Sequence, residues 1–561
     1  MTRSRILRTV LRRPTTAGLA GACVAWIGSI TPSLLPRAWL VQSLVSAAAV
    51  IVYYAAGSIA GWLLHLLLRR LRRDPSESVR RRIRQATYAA ALAALVIGTL
   101  QWPSWQHDQR VLLGAPPKSW WWTVPVVLGM LGTVAIVGTL LRFAWDGVRA
   151  LDRWLDQRIS HGSAVAWTAI TVTVVLQLFV QTVVWDGLAD WAAHSYGPAD
   201  AVTPDGVERP TSPLVSGSPD SLVPWATIGR EGRGFVAGAT TLDELRAFHG
   251  TDAEVREPIR VYAGSRSAHG LEAEADLVVD ELRRTGAFER KVLVVAMATG
   301  TGWIEPHASA AIEQLWSGDT AIASMQYSYL PSWMAFLVDN NDTAPAGSTL
   351  FNAVHRAWSE LPEDRRPLLL VFGESLGVYA AEAPFAGFDA STSLANMASR
   401  TDGMLLAGPT PNSRVWRQLV AEREPGTPAW KPVFDGGSTV RVFTSVADIA
   451  ASPDEWQGTH IAYLVYPTDP VTGYDLRTAW TRPPWLDDPT APDVLPSATW
   501  LPGVTVFQSF GDLVDAWYAP IGRGHNYEVD LIDAWAAVRA PEGWTDADTA
   551  RLRAFLHDEP R

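Results

Sequence analysis

Long apolar runs fill the first third of the chain, at about 16–35, 40–68, 86–103, 120–141 and 163–185. Each is roughly long enough, as a helix rising ~1.5 Å per residue, to cross a ~30 Å hydrocarbon core. The first run carries Thr31-Pro32 and Pro36, so it predicts a kinked span or a re-entrant segment, since proline breaks the helical ladder. A signal peptide is the alternative there. The later spans and the lack of a small-x-small cleavage site argue against it. Phe143 to Asp156 is amphipathic at helical spacing. It predicts either a helix on the inner membrane surface or a continuation of the fourth span.

The pattern changes near residue 190. From about 194 to 240 Pro, Gly, Ser and Asp accumulate without an amphipathic period, as in a linker (assigned to 191–240) or a loop laid over the following domain. Beyond it, short continuous apolar runs alternate with helical patterns. Strands are expected at Ile259–Ala263, Lys291–Met297, Thr320–Tyr327, Leu368–Phe372, Gly403–Ala407, Val440–Thr444 and His460–Tyr466, with helices at Leu271–Arg284, Ala308–Trp316 and Thr349–Leu361. Continuous apolar strands alternating with helices predict a mostly parallel sheet covered on both faces. The expected architecture is an N-terminal all-α transmembrane domain of four to five spans over 1–190 and a C-terminal α/β domain over 241–561.

Charge sharpens this division. Residues 1–190 hold 20 Lys and Arg against 8 Asp and Glu, a net of +12, and the rest hold 27 against 49, a net of −22. The basic charge lies between apolar segments, which excludes a nucleic-acid footprint. Arginines cluster at the N-terminus (Arg3, Arg5, Arg8, Arg12, Arg13), after the second run (Arg69 to Arg84) and after the fourth (Arg142, Arg149, Arg153, Arg158). Arginine-rich loops stay inside, so the C-terminal domain is expected outside a cell membrane that the chain crosses several times. The partners expected are the lipid bilayer and a small-molecule or lipid ester; the oligomeric state is open. Several of the 27 Trp flank the apolar runs, where interfacial belts form. The single cysteine, Cys23, rules out an intramolecular disulfide.

Candidate chemistry centres on Gly373-Glu-Ser-Leu-Gly377, between an apolar run and a helical pattern. A G-x-S-x-G turn in that context projects its serine as a nucleophile at the carboxyl end of a strand. A serine needs a base, and the base an orienting acid. His460, His525 and His557 are the histidines after Ser375. His460 begins a strand, at the wrong end of the sheet, and His557 is in the tail. His525, in the loop Gly522-Arg-Gly-His-Asn-Tyr527, is the expected base. Asp469, in Pro467-Thr-Asp-Pro470 past a late strand, is the expected acid, with Asp512 the alternative. The oxyanion hole is expected from the N–H of Leu376 and from Thr301 and Gly302 in the loop Thr299-Gly-Thr-Gly-Trp303. That loop lacks the lysine and spacing of a phosphate cradle. Glu374 is expected to pack or hydrogen-bond beneath the turn. No metal-ligand cluster is visible, and no cofactor is expected.

Six segments together carry a resemblance: Pro32-Ser-Leu-Leu-Pro-Arg37, Arg283-Arg-Thr-Gly-Ala-Phe288, Thr299–Trp303, Gln326-Tyr-Ser-Tyr-Leu-Pro-Ser-Trp333, Phe372–Gly377 and Gly522–Tyr527. The chain resembles the actinobacterial membrane-anchored α/β-hydrolase proteins, which pair a multi-span N-terminal domain with a hydrolase-like C-terminal domain. The resemblance implies an α/β-hydrolase fold over 241–561 and a Ser375–Asp469–His525 triad, but no substrate. Arg523 stands where a small residue is expected, which bears on substrate access. The leading expectation is a serine hydrolase (esterase- or lipase-like) acting on an ester or thioester of an apolar or lipid acyl group. The alternatives are an acyltransferase with the same residues, a non-catalytic scaffold on an inherited fold, and a transporter, for which His65 near a span end is the main ionisable candidate.

Overall fold

The computed structural model describes residues 14–71, 75–330, 334, 342–452, 456–486 and 490–557. The N-terminal arginines up to Arg13, with Arg72, Arg73 and 331–333 of the resemblance segment, lie outside the described residues. The chain forms two compact units: a helical unit of Met1–Gly187 with Gly473–Pro520, and a sheet unit of Leu188–Thr472 with Ile521–Arg561.

The helical unit contains α1 (Thr16–Ser29), α2 (Trp39–Arg70), α3 (Glu77–Leu113), α4 (Thr123–Asp156) and α5 (His161–Leu178), the last continuing in π-helical turns to Asp186. Side-chain caps from Thr15, Ser76 and Ser160 start α1, α3 and α5, each satisfying one of the N–H groups a helix start leaves open. Four segments, Trp39–Arg70, Glu77–Leu113, Trp120–Asp156 and Gly162–Val183, are long and apolar enough to cross a membrane by length and composition. The first apolar run is different. Its helix α1 has 14 residues, only ~21 Å long, and the chain is non-helical from Thr31 to Ala38. Phe143–Asp156 is the end of α4, a continuation and not a separate surface helix.

Gly473–Pro520, hereafter the strap, clusters with these helices, so the α/β range expected over 241–561 is interrupted. Its helix Thr505–Asp515 packs on α2, where a Cβ on Gly511 would lie 2.7 Å from Val45.

The sheet unit is built on seven strands: β1 (Ile259–Ala263), β2 (Val292–Met297), β3 (Thr320–Met325), β4 (Leu368–Glu374), β5 (Gly403–Ala407), β6 (Val440–Phe443) and β7 (His460–Leu464). They run in the order β1-β3-β2-β4-β5-β7-β6, all parallel. Successive residues of a strand face opposite ways, and both faces are covered. Leu293, Val295 and Met297 enter one core with Val278, Phe351 and Val378, while Val292, Val294 and Ala296 enter the other with Ile312, Trp535 and Val538. This arrangement is an α/β-hydrolase type of sheet, and β4 at its centre ends where the serine turn begins.

The stretch 191–240 is not loop throughout: it takes in most of the helix Gly187–Asp200 and the helix Arg230–Ala237. Val215 bridges to Arg260 beside β1, and Val223, Ile228, Phe235 and Val236 are buried in the core. Asp200 accepts from Arg230 N at 3.1 Å and Gln326 Nε2 at 3.0 Å.

Candidate active site

Leu368–Glu374 forms β4 and Leu376–Glu382 the helix that follows, leaving Ser375 alone to make the turn. Its backbone is at φ 58°, ψ −122°. Such a conformation is strained for a side chain and costs roughly 1–3 kcal/mol. The turn is held on both sides: Ser375 N donates to Ala407 O at 2.9 Å, and Val378 N donates to Ser375 O at 3.0 Å. Gly377 explains itself by contact, because a Cβ there would sit 2.4 Å from the Met297 carbonyl oxygen at the end of β2. The Leu376 N–H is the first of its helix and has no acceptor within it.

The next strand end links the serine to the histidine. Ser375 is bonded to Ala407, and a Cβ on the neighbouring Gly408 (φ 58°) would lie 2.5 Å from His525 Cε1. His525 therefore approaches the end of β5 through space that a glycine leaves open. Asp469 follows β7, and its Oδ2 is 2.7 Å from His525 Nδ1. The same oxygen accepts from Tyr527 Oη at 2.7 Å and Thr472 Oγ1 at 3.4 Å, and Oδ1 accepts from Val471 N at 2.8 Å. Gly524 N donates to Thr468 Oγ1 at 3.2 Å, tying the histidine loop to the segment carrying the acid. Ser375, Asp469 and His525 are 3%, 1% and 0% exposed. Tyr527 stacks on Tyr466 at 4.5 Å and meets His525 edge-on at 5.5 Å. Burial, with the adjacent Asp469 carboxylate, pushes the Tyr527 phenol well above its ordinary pKa, so it stays a donor.

The loop Thr299–Trp303 is anchored by its carbonyls. Tyr262 Oη donates to Gly302 O at 2.7 Å, and Gln326 Nε2 donates to Thr301 O at 3.3 Å. The Gly302 N–H donates to Thr299 O at 2.9 Å, closing a turn. This corrects one expectation: the Gly302 N–H is already engaged. Of the two residues, Thr301 retains the candidate oxyanion donor.

Asp512, the alternative acid, belongs to the helical unit. Its carboxylate accepts from Ser33 Oγ at 2.8 Å, Leu34 N at 3.1 Å and Arg37 Nε at 2.8 Å, so its bonding capacity goes to a buried ion pair. His460 starts β7, stacks on Trp456 at 4.4 Å and bonds Ala537 O. His557 is exposed at the end of a C-terminal helix. Glu374 is buried beneath the turn, and its Oε2 has no hydrogen-bond partner among the described residues. Burial raises its carboxyl well above the usual range, helped by the negative charges of Glu305, Asp469 and Glu528. Arg523 Nη1 donates to the Gly522 carbonyl at 2.7 Å within the histidine turn. Among the described residues, no group of three or more His, Cys, Asp and Glu could hold a metal ion.

Sequence reasoning missed the supporting residues Tyr262, Gln326, Gly408 and Tyr527. Two of them carried a signal, since Gln326 opens one resemblance segment and Tyr527 closes another.

The arrangement supplies a strained serine followed at once by a helix-start N–H, and a buried acid–histidine pair at the adjoining strand end. Such a set can activate a hydroxyl nucleophile and stabilise an oxyanion. No curated protein and no solved structure matches the chain. The Alpha/beta-hydrolase family N-terminus matches residues 30–239. The Alpha/beta-hydrolase family matches residues 259–552, more than half of the sequence, and the chain belongs to that family.

Proposed function

We propose that the protein is a membrane-anchored serine hydrolase that cleaves an ester or thioester of an apolar acyl group through an acyl-enzyme on Ser375. The observation that carries this reading is the strained Ser375 at the end of β4, beside the strand end that Gly408 opens to His525. In the reaction His525 Nε2 removes the proton from Ser375 Oγ as the oxygen attacks the substrate carbonyl. Asp469 holds Nδ1–H and stabilises the imidazolium that forms. Negative charge on the carbonyl oxygen is met by the Leu376 and Thr301 N–H groups. His525 then protonates the leaving group, and water, activated by the same histidine, releases the acid. An alcohol in place of that water would make the enzyme an acyltransferase, and product analysis separates the two.

The four long apolar segments support the anchor. The alternation of arginine-rich and arginine-poor loops supports a hydrolase unit on the outer side. Labelling by a fluorophosphonate probe in membranes tests the chemistry: the wild type is expected to label and Ser375→Ala to remain dark. A wild-type protein that does not label overturns the activated serine. A C-terminal alkaline phosphatase fusion is expected to be active, and an inactive one overturns the outside placement.

A further inference from the structure

The strap is inside out for a water-soluble element. Its helix Thr505–Asp515 buries Gln508, Ser509 and Asp512. On the opposite face Phe510 is 49% exposed and Val514 50%, followed by Trp517 at 45% and Tyr518 at 86%. Phe510 and Val514 stand at i and i+4, on one stripe of the helix, and Trp517 follows in the 3-10 turn Ala516–Tyr518. Trp480 and Leu476 in the same segment are also exposed.

The buried polar face has a specific task. Between α1 and α2 the chain is non-helical, and the end of α1 leaves carbonyls without intrahelical donors. Gln508 Nε2 lies 3.2 Å from Gly28 O, 3.4 Å from Ser29 O and 3.0 Å from Thr31 O. Asp512 accepts from Leu34 N, and Asp515 Oδ2 from Ala38 N at 2.8 Å. Irregular backbone at membrane depth survives only where protein groups satisfy it, and the strap supplies those groups.

Its position along α2 sets how far it reaches. Asp515 meets Ala38 at the start of α2, while Pro502 O accepts from Tyr53 Oη at 2.5 Å. Trp39 to Tyr53 is ~21 Å of helix, against a hydrocarbon core of ~30 Å. Beside that contact lies an apolar crevice of about 530 Å³, lined by Cys23, Val24, Ile27, Ala90, Ala94 and Leu501 among others. The exposed face of the strap thus adjoins a unit whose long helices also expose apolar side chains such as Ile59, Leu92, Leu128 and Val175.

We propose that Gly473–Pro520 is a membrane-embedded strap whose outer face, carried by Phe510, Val514, Trp517 and Tyr518, is covered by the acyl chains of bilayer lipids. The strap dips along the first half of α2 and seals the break between α1 and α2 with its polar side. It rests on the membrane reading of the four long helices and is independent of the serine chemistry.

The test uses the full chain in phosphatidylcholine vesicles. Cys23 is the only cysteine, so Cys23→Ser gives a background for single cysteines carrying an environment-sensitive fluorophore. Phe510→Cys, Val514→Cys and Tyr518→Cys probe the strap. Leu92→Cys on α3 reports a span, and Glu208→Cys on the sheet unit reports water. All five positions are exposed, so the label displaces no core. The expected result is quenching by doxyl-labelled lipid at the strap positions as strong as at Leu92, with loss of the iodide quenching seen at Glu208. Doxyl quenching at Leu92 together with iodide quenching at Phe510, Val514 and Tyr518 overturns the strap while leaving the spans standing. Quenching by neither agent at the strap also overturns it, because another protein surface would then cover the face. Iodide quenching at Leu92 as well overturns the membrane reading itself.

Discussion

Replacing Asp512 with alanine removes the anion from a fully enclosed ion pair. Arg37 is 2% exposed and Asp512 is 0% exposed. Without the carboxylate, the Arg37 guanidinium keeps Gln42 Oε1 at 2.6 Å, Ser29 O at 3.3 Å and Ser33 Oγ, but no opposite charge. Leaving one member of such a pair uncompensated costs about 3–5 kcal/mol. For a unit of this size each kcal/mol moves the midpoint by about 2–4 °C, so thermal unfolding in detergent is expected to shift down by about 6–20 °C. The double variant Arg37→Met/Asp512→Leu removes both charges and is expected to regain at least half of that loss, since paired replacement by apolar groups is often neutral or stabilising. The same samples separate the two candidate acids. Below its own midpoint Asp512→Ala is expected to label with fluorophosphonate at the wild-type rate. Asp469→Ala is expected to fall by about 10³–10⁴-fold, the scale of losing the group that orients a triad histidine. A midpoint unmoved by Asp512→Ala, or a labelling loss matching that of Asp469→Ala, would refute the assignment of Asp512 to structure.

Tyr527→Phe deletes one donor to Asp469 while keeping the ring stacked on Tyr466. A bond to a charged group contributes about 1.5–3 kcal/mol, and a thermal midpoint equal to wild type would contradict that role. Gly408→Ala places a methyl 2.5 Å from His525 Cε1 at a positive φ, so labelling of Ser375 is expected to drop at least tenfold, about 1.4 kcal/mol; an unchanged rate would mean that His525 does not hold this position. Burial, then Glu305, Asp469 and Glu528, raise the pKa of the Glu374 carboxyl well above its ordinary value. Its contribution is therefore fully present below the ordinary pKa of 4.5 and is lost as pH rises through the raised value. Glu374→Gln stays neutral, so its midpoint should fall less than that of the wild type as pH rises from 4.5 toward the raised value, and parallel curves over that rise would dismiss the raised carboxyl.

The sheet was legible because a strand buried on both faces has to be apolar without interruption. Leu368 to Phe372 and Val292 to Met297 satisfy that rule. The Asp469–His525 pair was legible because chain order and strand ends leave few places for a base and an acid. The strap was not. No helix is expected from the sequence over 505–515, and periodicity there would report that two faces differ without reporting which one meets the solvent. Asp512 looked like a spare acid for the same reason: its partner Arg37 lies 475 positions away. Which N–H of Thr299–Trp303 is engaged depends on a turn between Thr299 and Gly302, and glycine-rich sequence permits several such turns.

The path of the chain between Asp469 and His525 has a consequence for biosynthesis. The two residues are 56 positions apart, and most of that interval is the strap. A flexible loop of that length resists closure by roughly 3–4 kcal/mol. Once Gln508 and Asp512 fasten the strap to the break between α1 and α2, most of that entropy has already been lost, and His525 is delivered to Asp469 on a short tether. His525 is also the last of the three residues to leave the ribosome. A polypeptide whose N-terminal helices have not assembled lacks the anchorage for its strap, so the Asp469–His525 contact then forms against the full entropy of the open loop. Under the proposed function, labelling of Ser375 is then expected to report an assembled helical unit as well as a folded sheet unit.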